Sequence, residues 1–254
     1  MPKPGLLLLV PIAGLLGVLW GCGHRPLLET PPMVQEARQA VREATLARQQ
    51  RDYPAALTAF QTALARTRDN HNTAASALLL NEIGAIHADT GQYQQAIDAL
   101  DEALGLYRQL DDRVGEIRAL NDLGVVHSRL GQDPQAIHHY QQALGLARDT
   151  ANRWAEGQSL ANLATLHQTR GDYRAALEAY RAALAIFRDL RDPDAVATTL
   201  AGLGTVQEHL GDYPAALAAH QEALAIHRSQ NDPAGQAHDL NNLATVYLQL
   251  GEDR

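Results

Sequence analysis

Eleven histidines, one cysteine and a scatter of carboxylates are the residues of this 254-residue chain with the chemistry for catalysis or metal binding. Histidine ligates metals or moves protons where several side chains converge. The spacing here separates them. His87, His127 and His167 stand 40 residues apart, once per repeating unit, too far from one another for a common metal. They are expected to fill one inward-facing, structural column. His138 and His139 are adjacent, so on a helix they point in different directions. His220 and His227 share a face, but His220 takes the place held by Tyr140 and Tyr180 in earlier units. No HExxH, GxSxG, P-loop or GxGxxG pattern occurs, and no pair of carboxylates converges on a cleft. The reading is a protein that is not an enzyme, with no metal, no cofactor and no small-molecule substrate. One cysteine excludes an intramolecular disulfide or a cysteine-based metal cluster. A formal charge of −8 is the wrong sign for binding a phosphate backbone, so nucleic acid is excluded as a partner.

Cys22 closes a leader unlike everything after it. Pro4 to Gly23 contains no charged residue, and a dense apolar run from Leu6 to Leu19 follows Met1 and Lys3. This is a positive n-region and an h-region. A permanent span needs about 20 apolar residues, and Pro11, Gly14 and Gly17 interrupt this run; a single N-terminal transmembrane anchor is the alternative reading. An ordinary cleaved signal wants small residues at −1 and −3, which Gly21 meets and Leu19 does not. Leu19-Trp20-Gly21-Cys22 resembles the bacterial lipobox. That resemblance implies a signal peptide over residues 1–21, cleavage, and lipidation of Cys22, with the mature protein membrane-anchored as a lipoprotein. Gly23 in the second mature position, rather than aspartate, favours the outer membrane and its periplasmic side. Residues 22–32, with Pro26, Pro31 and Pro32, form a short tether. At about 3.1 Å per residue it reaches roughly 30 Å, holding the folded part near the bilayer.

The elements behind these residues come from a repeat. Glycine falls at 91, 131, 171, 211 and 251, alanine at 96, 136, 176 and 216, leucine at 104, 144, 184 and 224, and arginine at 108, 148, 188 and 228. A fixed period of this length signals a solenoid. Within a unit the apolar pattern follows i, i+3, i+4, i+7 and changes phase at the glycine, so each unit is a helix pair. The glycines sit where a left-handed residue closes the first helix, and Asp52, Asp172 and Asp212 are placed to cap the second. Asn72, Asp112, Asn152, Asp192 and Asp232 open successive units as N-caps, with Pro193 and Pro233 following.

"LNDLGVVHSRLGQDPQAIHHYQQAL" and "LAGLGTVQEHLGDYPAALAAHQEAL" resemble tetratricopeptide (TPR) repeats, in the 40-residue form similar to kinesin light chains, Pins-type adaptors and MalT-like regulators; "LNNLA" at 240–244 is especially similar. The resemblance implies an all-α, right-handed α-solenoid of antiparallel helix pairs spanning 33–254. Five pairs are expected at about 33–70, 73–110, 113–150, 153–190 and 193–230, followed by a C-terminal capping helix over 233–250. The first unit is eroded, as terminal repeats are.

The resemblance further implies that first helices line a concave, partner-binding groove. The groove positions hold Arg118, Asn121 and Asp122 in one unit, Gln158, Asn162 and Thr165 in the next, and Asn241, Asn242 and Thr245 in the last helix, with Thr198, Gly202 and Thr205 between. A carboxamide donates to a backbone C=O and accepts from an N–H, which suits an extended peptide. Lys3 is the sole lysine, so a lysine-rich clamp for an acidic C-terminal tail is absent. The expected function is a membrane-tethered scaffold or adaptor for a peptide or protein partner in the bacterial cell envelope. The alternative is a regulatory or sensory TPR segment of a signalling system, possibly a fragment of a longer array, with a plain membrane anchor at its N-terminus.

Overall fold

A computed structural model describes residues 35–251, and the leader with Cys22 and its tether lies outside them. Among the described residues the chain forms eleven α-helices and no strand. They are α1 (Gln35–Gln49), α2 (Tyr53–Asp69), α3 (Thr73–Asp89), α4 (Tyr93–Gln109), α5 (Arg113–Arg129), α6 (Asp133–Asp149), α7 (Arg153–Thr169), α8 (Tyr173–Asp189), α9 (Pro193–His209), α10 (Tyr213–Ser229) and α11 (Pro233–Gln249). After α1 every helix has 17 residues. The structural period is therefore half the sequence period.

Identical stop chemistry ends every helix. Gly91, Gly131, Gly171, Gly211 and Gly251 hold φ between 68° and 79° in the left-handed region. Gly91 N–H donates to the Ala88 carbonyl and Gln92 N–H to that of His87, a Schellman closure. The even-numbered helices close in the same way without glycine: His71, Asp111, Ala151, Arg191 and Asn231 stand at φ 52° to 55° or 56°. Start signals largely follow the sequence reading. Asn72, Asp112, Asn152, Asp192 and Asp232 each accept a backbone N–H from the third helical residue at 3.0 or 3.1 Å. Asp52 and Asp212 cap α2 and α10. Asp172 does not cap α8, contrary to expectation. Its carboxylate faces Arg170 at 3.3 Å, and that cation draws it off the helix start; His167 Nδ1 lies 3.7 Å away.

Consecutive helices pack as antiparallel neighbours. Odd-numbered helices from α3 onward also touch each other, while no even-numbered pair meets as closely, so the odd helices form the inner layer. Ala96, Ala136, Ala176 and Ala216 are 0% exposed, as their column predicts. At the Leu-Gly position of the first helix, the missing Cβ lets the second helix approach: a Cβ on Gly84 would meet Leu100 at 2.6 Å, on Gly124 the Tyr140 ring at 2.4 Å, and on Gly204 the His220 ring at 2.5 Å. The arginine column ties neighbouring units together. Arg108 and Arg148 reach Glu116 and Glu156 on the next first helix at 2.8 and 3.0 Å, and Arg188 reaches Glu222 at 2.6 Å.

The last helix, α11, seats Leu243 and Val246 inward, at 8% and 0% exposure. Its outer side is apolar, with Leu240 49% and Leu248 72% exposed.

Candidate partner-binding groove

The inner surface is built from one strip of each odd helix, and its two halves differ. Towards the N-terminus the strip is tied across repeats. Arg48 pairs with Glu82, Asn81 Nδ2 donates to Asp122 Oδ2 at 2.6 Å, and Asn121 Nδ2 to Ser159 Oγ at 3.1 Å. Asn162 Nδ2 donates to Asn121 Oδ1 at 3.3 Å and accepts at Oδ1 from Gln158 at 3.1 Å. The result is a ladder of side-chain hydrogen bonds from α1 to α7. Asn121 is only 7% exposed and serves as a rung of it, while Asp122, Gln158 and Asn162 are half-buried at its edge. Arg118 is also half-buried, and its Nη1 is buried without a hydrogen-bond partner among the described residues. A buried donor left without an acceptor is costly.

Over α9 and α11 the ladder stops. Thr198 and Thr205 turn their hydroxyls back on their own helix, to Asp194 O and Ala201 O. Gly202 and Ala201 offer no side chain long enough to cross to the next first helix. A cavity of about 460 Å³ opens there, walled by Thr198, Gly202, Thr205, Gly235, His227 and His238 among others. Asn241 and Thr245 are exposed beside it and Asn242 is half-buried, its Nδ2 lying 3.3 Å from His238 Nε2. The three α11 residues thus stand together on the inner strip. Thr165, on α7, is exposed but shares its hydroxyl with Tyr180 at 2.9 Å.

The histidine column does more than fill space. His87, His127 and His167 are half-buried, and Nδ1 of each faces the residue that starts the following helix: Gln92 at 2.5 Å, Gln132 at 2.6 Å and Asp172 at 3.7 Å. His87 and His127 latch the turn between paired helices, while His167 Nδ1 has no hydrogen-bond partner among the described residues. His127 also stacks on His139, ring centroids 5.1 Å apart. Burial, followed by the charges of His127, His138 and Arg108, pushes the His139 pKa down to about 4. No three metal-ligating side chains converge among the described residues.

One polar pair escapes the repeat pattern. Asp239 is 0% exposed and binds His227 Nδ1 at 2.6 Å, joining α11 to α10. Its column otherwise reads Leu79, Ala119, Ser159, Thr199. An acid at the end of a small or apolar series is the available sequence signal.

A helical solenoid with a polar inner strip, open at one end and cross-linked at the other, defines an interaction scaffold. The chain belongs to the tetratricopeptide repeat family, whose model matches residues 73–149, 155–229 and 195–254. No curated protein matches the chain. Among solved structures it is similar to BtubC (BKLC) from P. vanneervenii, at 21% identity and TM-score 0.66, covering 88% of this chain and 86% of that one. A Rap conjugation gene regulator of the plasmid pLS20, in complex with a Phr peptide, is similar at 18% identity and TM-score 0.70, covering 85% of this chain and 63% of that one. A putative kinesin light chain of Podosopora anserina with TPR-like repeats is similar at 16% identity and TM-score 0.60, over 78% and 99%. At these identities the likeness is one of fold. Among the described residues no helix is long and apolar enough to cross a membrane, and the run Leu6 to Leu19 lies outside them.

Proposed function

We propose that this protein is a membrane-tethered TPR scaffold that holds a peptide or protein partner in its inner groove, anchored through lipid on Cys22 at the outward face of a bacterial envelope membrane. The observation that carries the groove assignment is the open strip over α9 and α11. There two threonines, two histidines and small residues surround a cavity of about 460 Å³, with Asn241 and Asn242 beside it and, among the described residues, no side-chain hydrogen bond from α9 to α11. Uncharged donors and acceptors of that kind suit the backbone of an extended segment. Arg118 extends the same groove towards α5 with a donor that needs an acceptor. The Rap regulator solved with its Phr peptide lends the precedent of an occupant of the same class in a similar fold. A second reading, a regulatory TPR segment with a plain N-terminal anchor, draws on that same regulator.

Two measurements on the protein in its host test the proposal and separate its parts. Cys22→Ser should abolish labelling by a radioactive fatty acid and leave an unprocessed precursor; unchanged labelling refutes the lipid anchor. Crosslinking of the membrane-bound protein should recover a partner that Asn242→Arg, which fills the open strip with a long cation, no longer retains. Retention of the same partner by that variant refutes the groove assignment.

A further inference from the structure

We infer that the cavity between α9 and α11 is a pocket for a basic side chain, an arginine of the partner segment, with the Asp239 carboxylate as its counter-charge. The inference rests on the groove assignment above and names what that groove selects. Small residues make the space. At the place of Gly202, earlier first helices carry Glu82, Asp122 and Asn162, and Ala201, Ala234 and Gly235 add no long side chain to the wall. Asp239 lies behind that wall. It is 0% exposed, its Oδ2 bonded to His227 Nδ1 at 2.6 Å, and its Oδ1 is buried with no hydrogen-bond partner among the described residues. The repeat shows which donor is missing. Ser159, in the same column, accepts from the amide of Asn121 on the preceding first helix at 3.1 Å. For Asp239 the residue in the place of Asn121 is Ala201, which has no amide and lines the cavity together with His227. The donor that Oδ1 lacks is the one that Ala201 fails to supply, and the room it leaves belongs to the cavity. A buried carboxylate oxygen without a donor is costly, and a charged donor offsets that cost more than a neutral one.

The sign of the occupant follows from the charges around the cavity. Neither α9 nor α11 contains a lysine or an arginine, while Asp194 and Glu208 lie on α9, Asp239 lies on α11 and Asp232 caps it. Earlier in the groove, α5 and α7 both carry arginine. A carboxylate entering between α9 and α11 would meet like charge, and a neutral side chain would leave Asp239 short of a counter-charge. Among basic side chains arginine suits the wall. Its aliphatic stem packs on Ala201, Gly202 and Ala234, and its weakly hydrated planar head brings N–H donors to the buried acid. The extended backbone on either side of that arginine then lies along Asn241 and Asn242, which stand beside the cavity on the inner strip.

The probe is the end-blocked heptapeptide Gly-Ser-Ala-Arg-Ala-Ser-Gly, titrated into the isotope-labelled full-length protein in detergent and followed by amide NMR. Saturable shifts are expected at Gly202, Gly235 and His238. Citrulline in place of the peptide's arginine keeps the shape without the charge and should weaken binding about tenfold or more; glutamate there should abolish it. Asp239→Asn should reduce the arginine peptide to the level of the citrulline one. Ala201→Asn keeps the test where that variant unfolds α11. It puts a carboxamide where Asn121 has one, so α11 amides should exchange more slowly while arginine binding falls about tenfold or more. Glu222→Gln, which removes an exposed acid of α10, should leave binding unchanged. The inference is overturned by no saturable shift, by arginine and citrulline peptides that bind within about threefold of each other, or by binding that survives both Asp239→Asn and Ala201→Asn. The groove assignment fails separately, for a crosslinked partner that Asn242→Arg still retains refutes it even where the arginine peptide seats at Gly202 as expected.

Discussion

Substituting Gly202 by alanine should reverse in sign with the identity of one neighbouring side chain. Ala164 puts a methyl group where Gly84, Gly124 and Gly204 have none, and the ring that packs there, Tyr180, leans onto the next first helix. A Cβ on Gly202 would meet Tyr180 Cζ and Oη at 2.6 Å and Cε1 at 2.9 Å. The ring cannot easily yield, because its hydroxyl is held by Thr165 and Gln168. Gly202→Ala in the middle of α9 gains about 0.8–1 kcal/mol of helix propensity, but overpacking a locked aromatic costs about 1–3 kcal/mol. The net expectation is a loss of about 1 kcal/mol. In a Tyr180→Leu background the obstructing atoms are gone, and the same substitution should stabilise by nearly the full propensity gain, so the two residues couple by about 2 kcal/mol. Repeat arrays can unfold in segments, so the assay is native-state hydrogen exchange of α7 to α9 amides alongside urea unfolding, on all four members of the cycle. A stabilising Gly202→Ala in the wild-type background, or a coupling near zero, refutes this account of why glycine stands at 202.

Two further outcomes follow from the polar contacts. The folded pKa of His139, about 4, lies below its ordinary value of 6.5. The unfolded chain therefore binds the proton first, and stability should fall as pH drops from about 6.5 towards 4 and level off below; His139→Phe should flatten that limb of a urea-midpoint profile, and an unchanged limb refutes the assignment. Asp239→Ala strands the Nδ1 group of His227 in a site that is largely closed to water. A loss of about 1–3 kcal/mol is expected, confined to the α10 to α11 junction and visible as faster exchange of α11 amides with α3 to α7 unchanged; exchange that rises evenly along the solenoid argues that the pair does not join the last helix.

Local rules and long-range packing part company at identifiable residues. The caps at Asn72, Asp112, Asn152, Asp192 and Asp232 and the turns at Gly91 to Gly251 were legible because each depends on a few neighbouring residues: a side-chain oxygen three positions from an orphan N–H, or a Cβ that a left-handed φ disfavours. His71, Asp111, Ala151, Arg191 and Asn231 adopt that φ with no glycine to announce it. Their signal was the 20-residue phase, since a turn imposed by packing on both sides overrides a single residue's preference.

The groove was harder to read because its chemistry is shared across repeats. Asn121 has the residue type and slot of a partner-binding carboxamide, yet its oxygen takes Asn162 and its nitrogen goes to Ser159, 41 and 38 residues away. Asn242 has the same slot as Asn162, but the preceding first helix offers it Ala201 where Asn162 finds Asn121, and its amide lies against His238 within α11. Identical side chains therefore serve as rungs on α5 and α7 and as open surface on α11. What distinguishes them is the side chain that the preceding first helix supplies. The same logic explains Asp239. Where Ser159 accepts from the preceding first helix, an acid in that column takes a histidine of the preceding second helix instead. That pair fastens α11 to α10 at its inner edge while leaving the groove amides of α11 open among the described residues.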